Sequence, residues 1–153
     1  VAALLKNTPV FENGGRAATT TFSQRNIGDV LVTFENEANY VSKKLTQDQF
    51  EIVYPSYTII SEAPVAVVDS VVDKKGTRTA AEAYLKNLWS EPAQELAANL
   101  YLRPRNAEVL AKHKADFPDI ETFNPNEKFG AWSDIMKKFF ADGGLFDQLS
   151  GKK

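Results

Sequence analysis

Apolar residues form short, nearly continuous runs at several points along the chain. Residues 29–34 ("DVLVTF") and 64–69 ("PVAVVD") are rich in β-branched residues, which is typical of strands covered on both faces of a parallel sheet. Residues 50–54 ("FEIVY") alternate as a half-buried strand does, and Pro55 ends the pattern. A further short strand is predicted over residues 9–11.

Between these runs the apolar positions recur at helical spacing. Ala38, Val41 and Leu45 share one face of a predicted helix, and Ser90 with Pro92 predicts the start of another. The predicted helices are 17–25, 35–45, 77–88, 91–100, 107–114 and 132–140, with a helix end at 1–7 and a loop carrying one short strand at 116–126. The alternation of strands and helices predicts an α/β fold with a mainly parallel sheet flanked by helices.

Composition narrows the class of protein. The chain has 153 residues, a formal charge of −2 and no cysteine, so it has no electrostatic footprint for nucleic acid and no thiolate metal site or disulfide. No apolar run approaches the ~20 residues of a membrane helix. The opening "VAALLKN" reads as the last turns of a helix, and we expect the chain to be a piece of a longer protein.

Most candidate chemical residues have an ordinary structural interpretation. His113 is the single histidine, and a metal site needs several converging ligands. Glu35 and Glu37 do not share a helix face and suit the first turn of a helix, where the macrodipole favours acids. Arg103 and Arg105 flank a proline, where arginines cap carbonyls or form surface ion pairs. Without a nucleophile beside a base, we predict no enzyme activity and no cofactor.

The segment "GGRAATTTF" is the exception. It places Gly14, Gly15 and Arg16 between an apolar run and a predicted helix start. Such a turn exposes backbone N–H groups at the positive end of a helix, where an anion is favoured. The pattern matches neither a Walker loop nor a dinucleotide fingerprint, so an anion-binding loop and a plain tight turn both remain open.

Matches over the whole chain favour the first interpretation. The segments are "GGRAATTTF", "IGDVLVTFENEA", "FEIVYPS", "KKGTRTAAEAYLKNLWSEPAQELAA", "YLRPRNAEV", "KFGAW" and "GGLFDQLS". In this order they resemble the C-terminal half of the bacterial periplasmic sulfate- and thiosulfate-binding proteins. The resemblance implies the C-terminal portion of a two-lobed type II periplasmic-binding-protein fold, a periplasmic location, and delivery of the anion to the membrane permease of a sulfate ABC importer.

The same resemblance assigns ligand-binding residues. The family's loop donor falls on the backbone N–H of Gly15, within the group Gly14, Gly15, Arg16 and Ala17. Phe34 stands where sulfate-binding members place a tryptophan whose indole N–H reaches the ion. Because phenylalanine has no donor, that hydrogen bond is lost or is replaced by a water or by a hydroxyl such as that of Thr33. The double glycine and Phe34 resemble the thiosulfate-binding branch more than the sulfate branch.

The resemblance also implies what this chain does not carry. The family's remaining ligands, an aspartate, a serine and a second glycine-containing loop, belong to the N-terminal half. Residues 1–34 would end the second lobe at the hinge, and residues 35–153 would return to the first lobe. We therefore expect the N-terminal half to be a partner of this chain and, in its absence, self-association through exposed edges. A fragment that binds nothing, or a receptor for another tetrahedral oxyanion, remain the alternatives; an enzyme acting on sulfate or phosphate esters lacks an activated nucleophile.

Overall fold

Two short parallel strands join segments that lie far apart in the chain. The structure is a computed structural model that describes residues 1–46 and 49–151. Strand β1 (Tyr57–Ile59) pairs in parallel with β2 (Glu121–Phe123), so that Tyr57 lies opposite Glu121. The N–H of Ile60 donates to the carbonyl of Phe123 at 3.0 Å and extends the pairing by one bond. The described residues thus form an α/β protein with a small parallel sheet.

Helices make up most of the remaining regular structure. They are α1 (Ala2–Lys6), α2 (Gly15–Arg25), α3 (Glu35–Tyr40), α4 (Asp69–Lys75), α5 (Arg78–Asn87), α6 (Glu91–Asn99), α7 (Ala107–Lys112), α8 (Pro125–Phe129), α9 (Trp132–Ile135) and α10 (Leu145–Ser150). Helix α3 continues into a π-helical segment over Val41–Leu45, and α9 continues into another over Met136–Phe140. Every predicted helix is confirmed within a few residues, whereas α4, α8 and α10 were not predicted.

Local sequence explains several of the helix starts. Ser90 accepts a hydrogen bond from the N–H of Ala93 with Pro92 in the first turn, and Asn106 accepts from the N–H groups of Glu108 and Val109. Side-chain oxygens at these positions satisfy N–H groups that have no partner inside the helix. Ser90 with Pro92 is the local signal from which the start of α6 was predicted.

The four strands predicted over residues 9–11, 29–34, 50–54 and 64–69 are wrong. Within the described residues only β1 and β2 pair as a sheet, and the apolar side chains of the predicted strands are largely exposed, with Val32 80% and Val53 79% accessible. A strand forms only where a neighbour receives its backbone hydrogen bonds. The apolar runs therefore have the composition of buried strands, but within the described residues they find no neighbouring strand to pair with.

The chain divides into two compact units. The first unit combines Val1–Ile60 with the chain from Ile120 onward, and the second is Ser61–Asp119. Helices α2 and α3 belong to the same unit, so contacts within the chain do not separate residues 1–34 from those that follow directly. The assignment of residues 1–34 and 35–153 to two lobes refers to a whole receptor and stays a prediction.

Each unit has its own buried residues. In the second unit Ala98, Val109 and Phe117 form the core, with Leu110 packed against it. In the first unit the rings of Phe22, which belongs to α2, and Phe50 pack with centroids 4.8 Å apart. None of the described helices combines the length and apolar character needed to cross a membrane.

Candidate functional site

The first turn of α2 presents unpaired backbone donors. Gly14 precedes the helix with φ 121° and ψ 152°, a conformation that is essentially restricted to glycine. The first hydrogen bond of the helix runs from the N–H of Ala18 to the carbonyl of Gly14 at 3.2 Å. The N–H groups of Gly15, Arg16 and Ala17 therefore have no partner inside the helix and carry its positive end. Four of the five predicted ligand residues lie in this one turn.

The start of α3 lies directly against this turn. Phe34 precedes α3 as its N-cap residue. A methyl group on Gly15 would lie 3.2 Å from Cδ2 of Phe34, 3.3 Å from Cγ of Glu37 and 3.5 Å from Oγ1 of Thr33. The structure thus brings Phe34, the fifth predicted residue, to the other four. Glycine at position 15 permits the close approach of the first turn of α2 to the start of α3.

The two residues before α3, Thr33 and Phe34, differ in exposure and in the hydrogen bonds that their side chains can make. The Phe34 residue is 57% exposed, and its ring carries no hydrogen-bond donor. The Thr33 hydroxyl oxygen, in contrast, is buried and has no hydrogen-bond partner among the described residues. A buried hydroxyl without a partner costs free energy. The Thr33 hydroxyl thus lies 3.5 Å from the place where a side chain on Gly15 would begin, and it is unsatisfied among the described residues.

Arg16 is engaged by a carboxylate. Its Nε lies 2.8 Å from Oε2 of Glu37, and its Nη2 donates to Oε1 at 3.0 Å. The guanidinium carbon lies 4.4 Å from the centroid of the Tyr40 ring, within the range of a cation–π contact. The bidentate pair raises the pKa of Arg16 above its ordinary value, chiefly through the hydrogen bonds to Glu37. Arg16 therefore ties α2 to α3.

Glu37 is the partner of Arg16 that sequence reasoning did not predict. Only 6% of this residue is exposed, and besides Arg16 it accepts from the Thr19 hydroxyl at 3.2 Å and the Asn36 amide at 3.3 Å. The Arg16 hydrogen bond holds the pKa of Glu37 below its usual value, and Thr19 acts in the same direction against the effect of burial. Its position in the first turn of α3 was predicted, but no local pattern pairs an acid with an arginine 21 residues earlier.

The other candidate residues serve structural contacts in the second unit. His113 Nε2 lies 2.7 Å from a Glu95 carboxylate oxygen. Arg103 donates to the carbonyl of Pro118 at 3.0 Å, and Arg105 pairs with Glu62 at 3.0 Å, as the sequence predicted for residues beside a helix break. Among the residues that the structure describes, no group of three or more histidine, aspartate or glutamate side chains is placed to hold a metal ion.

The first turn of α2 therefore offers backbone donors, and its arginine is held in an ion pair by Glu37. Residues 1–99 match the family model described as bacterial extracellular solute-binding protein. The chain belongs to this family, whose members are non-enzymatic solute receptors. Its assignment to an extracytoplasmic receptor family agrees with the resemblance found in the sequence.

Curated relatives match almost the whole chain. A thiosulfate-binding protein of Pseudomonas aeruginosa is 56% identical over 149 residues, which are 97% of this chain and 45% of the relative. A sulfate-binding protein of Escherichia coli is 51% identical over 150 residues, 98% of this chain and 46% of the relative. A thiosulfate-binding protein of Escherichia coli is 47% identical over 145 residues, 95% of this chain and 43% of the relative. The chain spans less than half the length of these relatives, and their identities do not separate sulfate from thiosulfate.

Proposed function

We propose that this chain is the C-terminal part of a periplasmic receptor that captures sulfate or thiosulfate and delivers it to an ABC importer. The observation that carries the proposal is the first turn of α2, where three N–H groups without a partner inside the helix lie beside the start of α3 at Gly15. The family and the names of the relatives support the ligand class. The N-terminal half of such a receptor and the importer's membrane permease are the proposed partners.

The proposed ligand residues are Gly14, Gly15, Arg16, Ala17 and Phe34. The anion receives hydrogen bonds from the backbone N–H groups of the first turn of α2, while the Phe34 ring lines the site. A dianion can leave water when each oxygen receives directed hydrogen bonds, and hydrogen bonds to a charged acceptor are about twice as strong as neutral ones. The backbone supplies these donors, so a chain with net charge −2 needs no free cation in the site.

Within this chain, the same geometry offers a protonated phosphate no free hydrogen-bond acceptor on the carboxylate nearest to the donor turn. At neutral pH phosphate carries a proton and needs a hydrogen-bond acceptor in the site, whereas sulfate and thiosulfate carry none. The nearest carboxylate, Glu37, already accepts from four donor groups, two of them on Arg16, and a carboxylate offers about four acceptor positions. Isothermal calorimetry on the complete receptor with sulfate, thiosulfate and phosphate tests this. We expect binding of the first two only, and tight phosphate binding would overturn the assignment.

Phe34 favours thiosulfate over sulfate. Sulfur is a weaker hydrogen-bond acceptor than oxygen, so a terminal sulfur tolerates a half-exposed apolar ring better than a sulfate oxygen does. Competition calorimetry, with thiosulfate displaced by sulfate, measures the preference. Equal or tighter sulfate binding contradicts it.

A two-lobed type II fold completes the proposal. In it, residues 1–34 end one lobe and residues 35–153 return to the other, and lobe closure around the anion is the functional motion. Small-angle scattering of the complete receptor with and without thiosulfate measures closure as a smaller radius of gyration in the bound state. An unchanged radius on saturation contradicts the closing motion.

A second candidate behaviour concerns the chain by itself. Apolar side chains of the unpaired segments are exposed, among them Val30 at 81% and Val32 at 80%, and such surface marks an interaction site. We propose that residues 1–153 self-associate when the N-terminal half is absent. Size-exclusion chromatography with light scattering tests this, and a stable monomer is the contradicting result.

A further inference from the structure

We propose that Glu37 is a positioning residue of the anion site. It holds the first turn of α2 in place and keeps the Arg16 guanidinium engaged, so that the anion meets neutral backbone donors rather than a free cation. This inference rests on the oxyanion-binding function proposed above. It explains how the Arg16 guanidinium, the cation nearest to the donor turn, is kept away from the anion.

The contacts of Glu37 span the donor turn. Its carboxylate accepts from Arg16, the second residue of α2, and from Thr19, three residues further along the same helix. Its Cγ lies 3.3 Å from the place where a side chain on Gly15 would begin. One buried side chain therefore contacts α2 on both sides of Ala17. A change at Glu37 moves the N–H groups of Gly15, Arg16 and Ala17 together.

The charge of Glu37 matters separately from its shape. The Arg16 side chain is 61% exposed, so without Glu37 the guanidinium is an uncompensated, partly exposed cation over the Tyr40 ring, beside the first turn of α2. Attraction between an exposed cation and an anion is screened by salt, with a Debye length of about 10 Å at 0.1 M. In the native pair the two charges cancel at short range. We therefore expect anion affinity to depend only weakly on ionic strength.

The variant Glu37→Gln separates these effects. It preserves the length of the side chain but removes the charge and turns one acceptor into an amide donor, which faces the Arg16 donors unfavourably. Calorimetry of the complete receptor with sodium thiosulfate and sodium sulfate, at 20 mM and 500 mM KCl, measures the result. At high salt we expect about ten-fold weaker binding, the size of losing one hydrogen bond to a charged group. We also expect a steeper loss of affinity with salt than in the native protein.

Two controls assign the cause. Glu35→Gln removes the same charge from the same turn of α3, and we expect native affinity and native salt dependence. Arg16→Gln combined with Glu37→Gln removes both charges, and we expect weak binding with the flat salt dependence of the native protein. Thermal unfolding of each variant establishes that it folds. If Glu37→Gln does not fold, Glu37→Asp keeps the charge on a shorter stem, and we expect weaker binding with a flat salt dependence.

The possible failures are distinguishable. A native receptor that binds neither thiosulfate nor sulfate overturns the proposed function. A native receptor that binds, with Glu37→Gln within two-fold at both salt concentrations, overturns the role of Glu37 only. Weaker binding with an unchanged salt dependence shows a purely structural role and also overturns the inference, as does a Glu37→Asp protein that binds as tightly as the native one.

Discussion

Replacing each of the two adjacent glycines by alanine separates backbone strain from steric crowding. A methyl group on Gly14 would meet no atom within 4 Å, whereas one on Gly15 would lie 3.2 Å from the Phe34 ring. Space alone therefore ranks Gly15→Ala as the more damaging change. The backbone ranks them in the opposite order, because Gly14 has φ 121° and ψ 152°, a region that only glycine adopts readily.

The magnitudes follow from these geometries. A residue with a side chain held in such a region costs about 1–3 kcal/mol, so Gly14→Ala loses that much of the free energy of unfolding. For Gly15→Ala, the Phe34 ring needs to shift by a few tenths of an ångström, and alanine is favoured over glycine within a helix by up to about 1 kcal/mol. The two effects oppose each other, and we expect Gly15→Ala to stay within about 1 kcal/mol of the native protein.

Thermal unfolding followed by circular dichroism measures this difference. One kcal/mol corresponds to about 2–4 °C in Tm for a protein of 150–250 residues, so Gly14→Ala lowers Tm clearly while Gly15→Ala changes it little. Gly76→Ala is a matched control, since it also places a side chain at positive φ, here 62°, with no atom within 4 Å. A lower Tm for Gly15→Ala than for Gly14→Ala would refute the argument from backbone strain.

Three further results are expected. Phe34→Trp adds an indole N–H donor beside Gly15. It should raise the affinity for sulfate relative to thiosulfate by about ten-fold or more, the value of one hydrogen bond to a charged group. The same calorimetric competition measures this ratio of affinities, and an unchanged ratio contradicts the placement of Phe34 in the site. Thr33→Val removes a buried hydroxyl that has no partner among the described residues and should raise the free energy of unfolding by about 1 kcal/mol; destabilisation would mean that the hydroxyl is satisfied. The pKa of Glu37 is lowered in the folded protein, mainly by the Arg16 hydrogen bonds. The ionised carboxylate therefore stabilises the fold at pH values above the ordinary carboxyl pKa of about 4.3. This stabilisation is lost as the pH falls through the lower pKa of the folded state. The Tm difference between native protein and Glu37→Gln should accordingly be constant above about pH 6 and shrink in acid, and a difference that grows in acid would show the opposite sign of the pKa shift.

Helices were predictable because their signals are local. Ser90 with Pro92 marks the start of α6, and Asn106 caps α7 through hydrogen bonds that span only two or three residues. The glycine pair at the start of α2 gives a signal of the same kind, since the turn and the N–H groups without a partner inside the helix follow from a few consecutive residues. The unpredicted helices α8 and α10 lie among clustered turn residues, where proline and glycine signals favoured a loop.

The short strand predicted within residues 116–126 is present as β2, but the other four predicted strands are wrong because a strand is defined by its neighbour. Residues 29–34 carry the apolar pattern of a buried strand, yet within the described residues they lie outside any sheet. Residues 57–59, with a weaker pattern, form β1 because residues 121–123 lie beside them. These two strands lie 64 positions apart in sequence. Their pairing depends on the tertiary fold that brings them side by side, which no local sequence pattern specifies.

The amino-acid sequence by itself determined most of the helical segments, the α/β class, the family and the anion-loop hypothesis at Gly14 and Gly15. Each of these depends on short-range geometry or on residues matched in order. Only the tertiary structure showed that Phe34 packs against Gly15 and that Glu37 closes on Arg16. The physical reason is that such contacts depend on the packing of one helix against another, which brings together side chains that share no local pattern. The segment "GGRAATTTF" therefore predicted a place for an anion, and the fold decided that its arginine is held by a carboxylate.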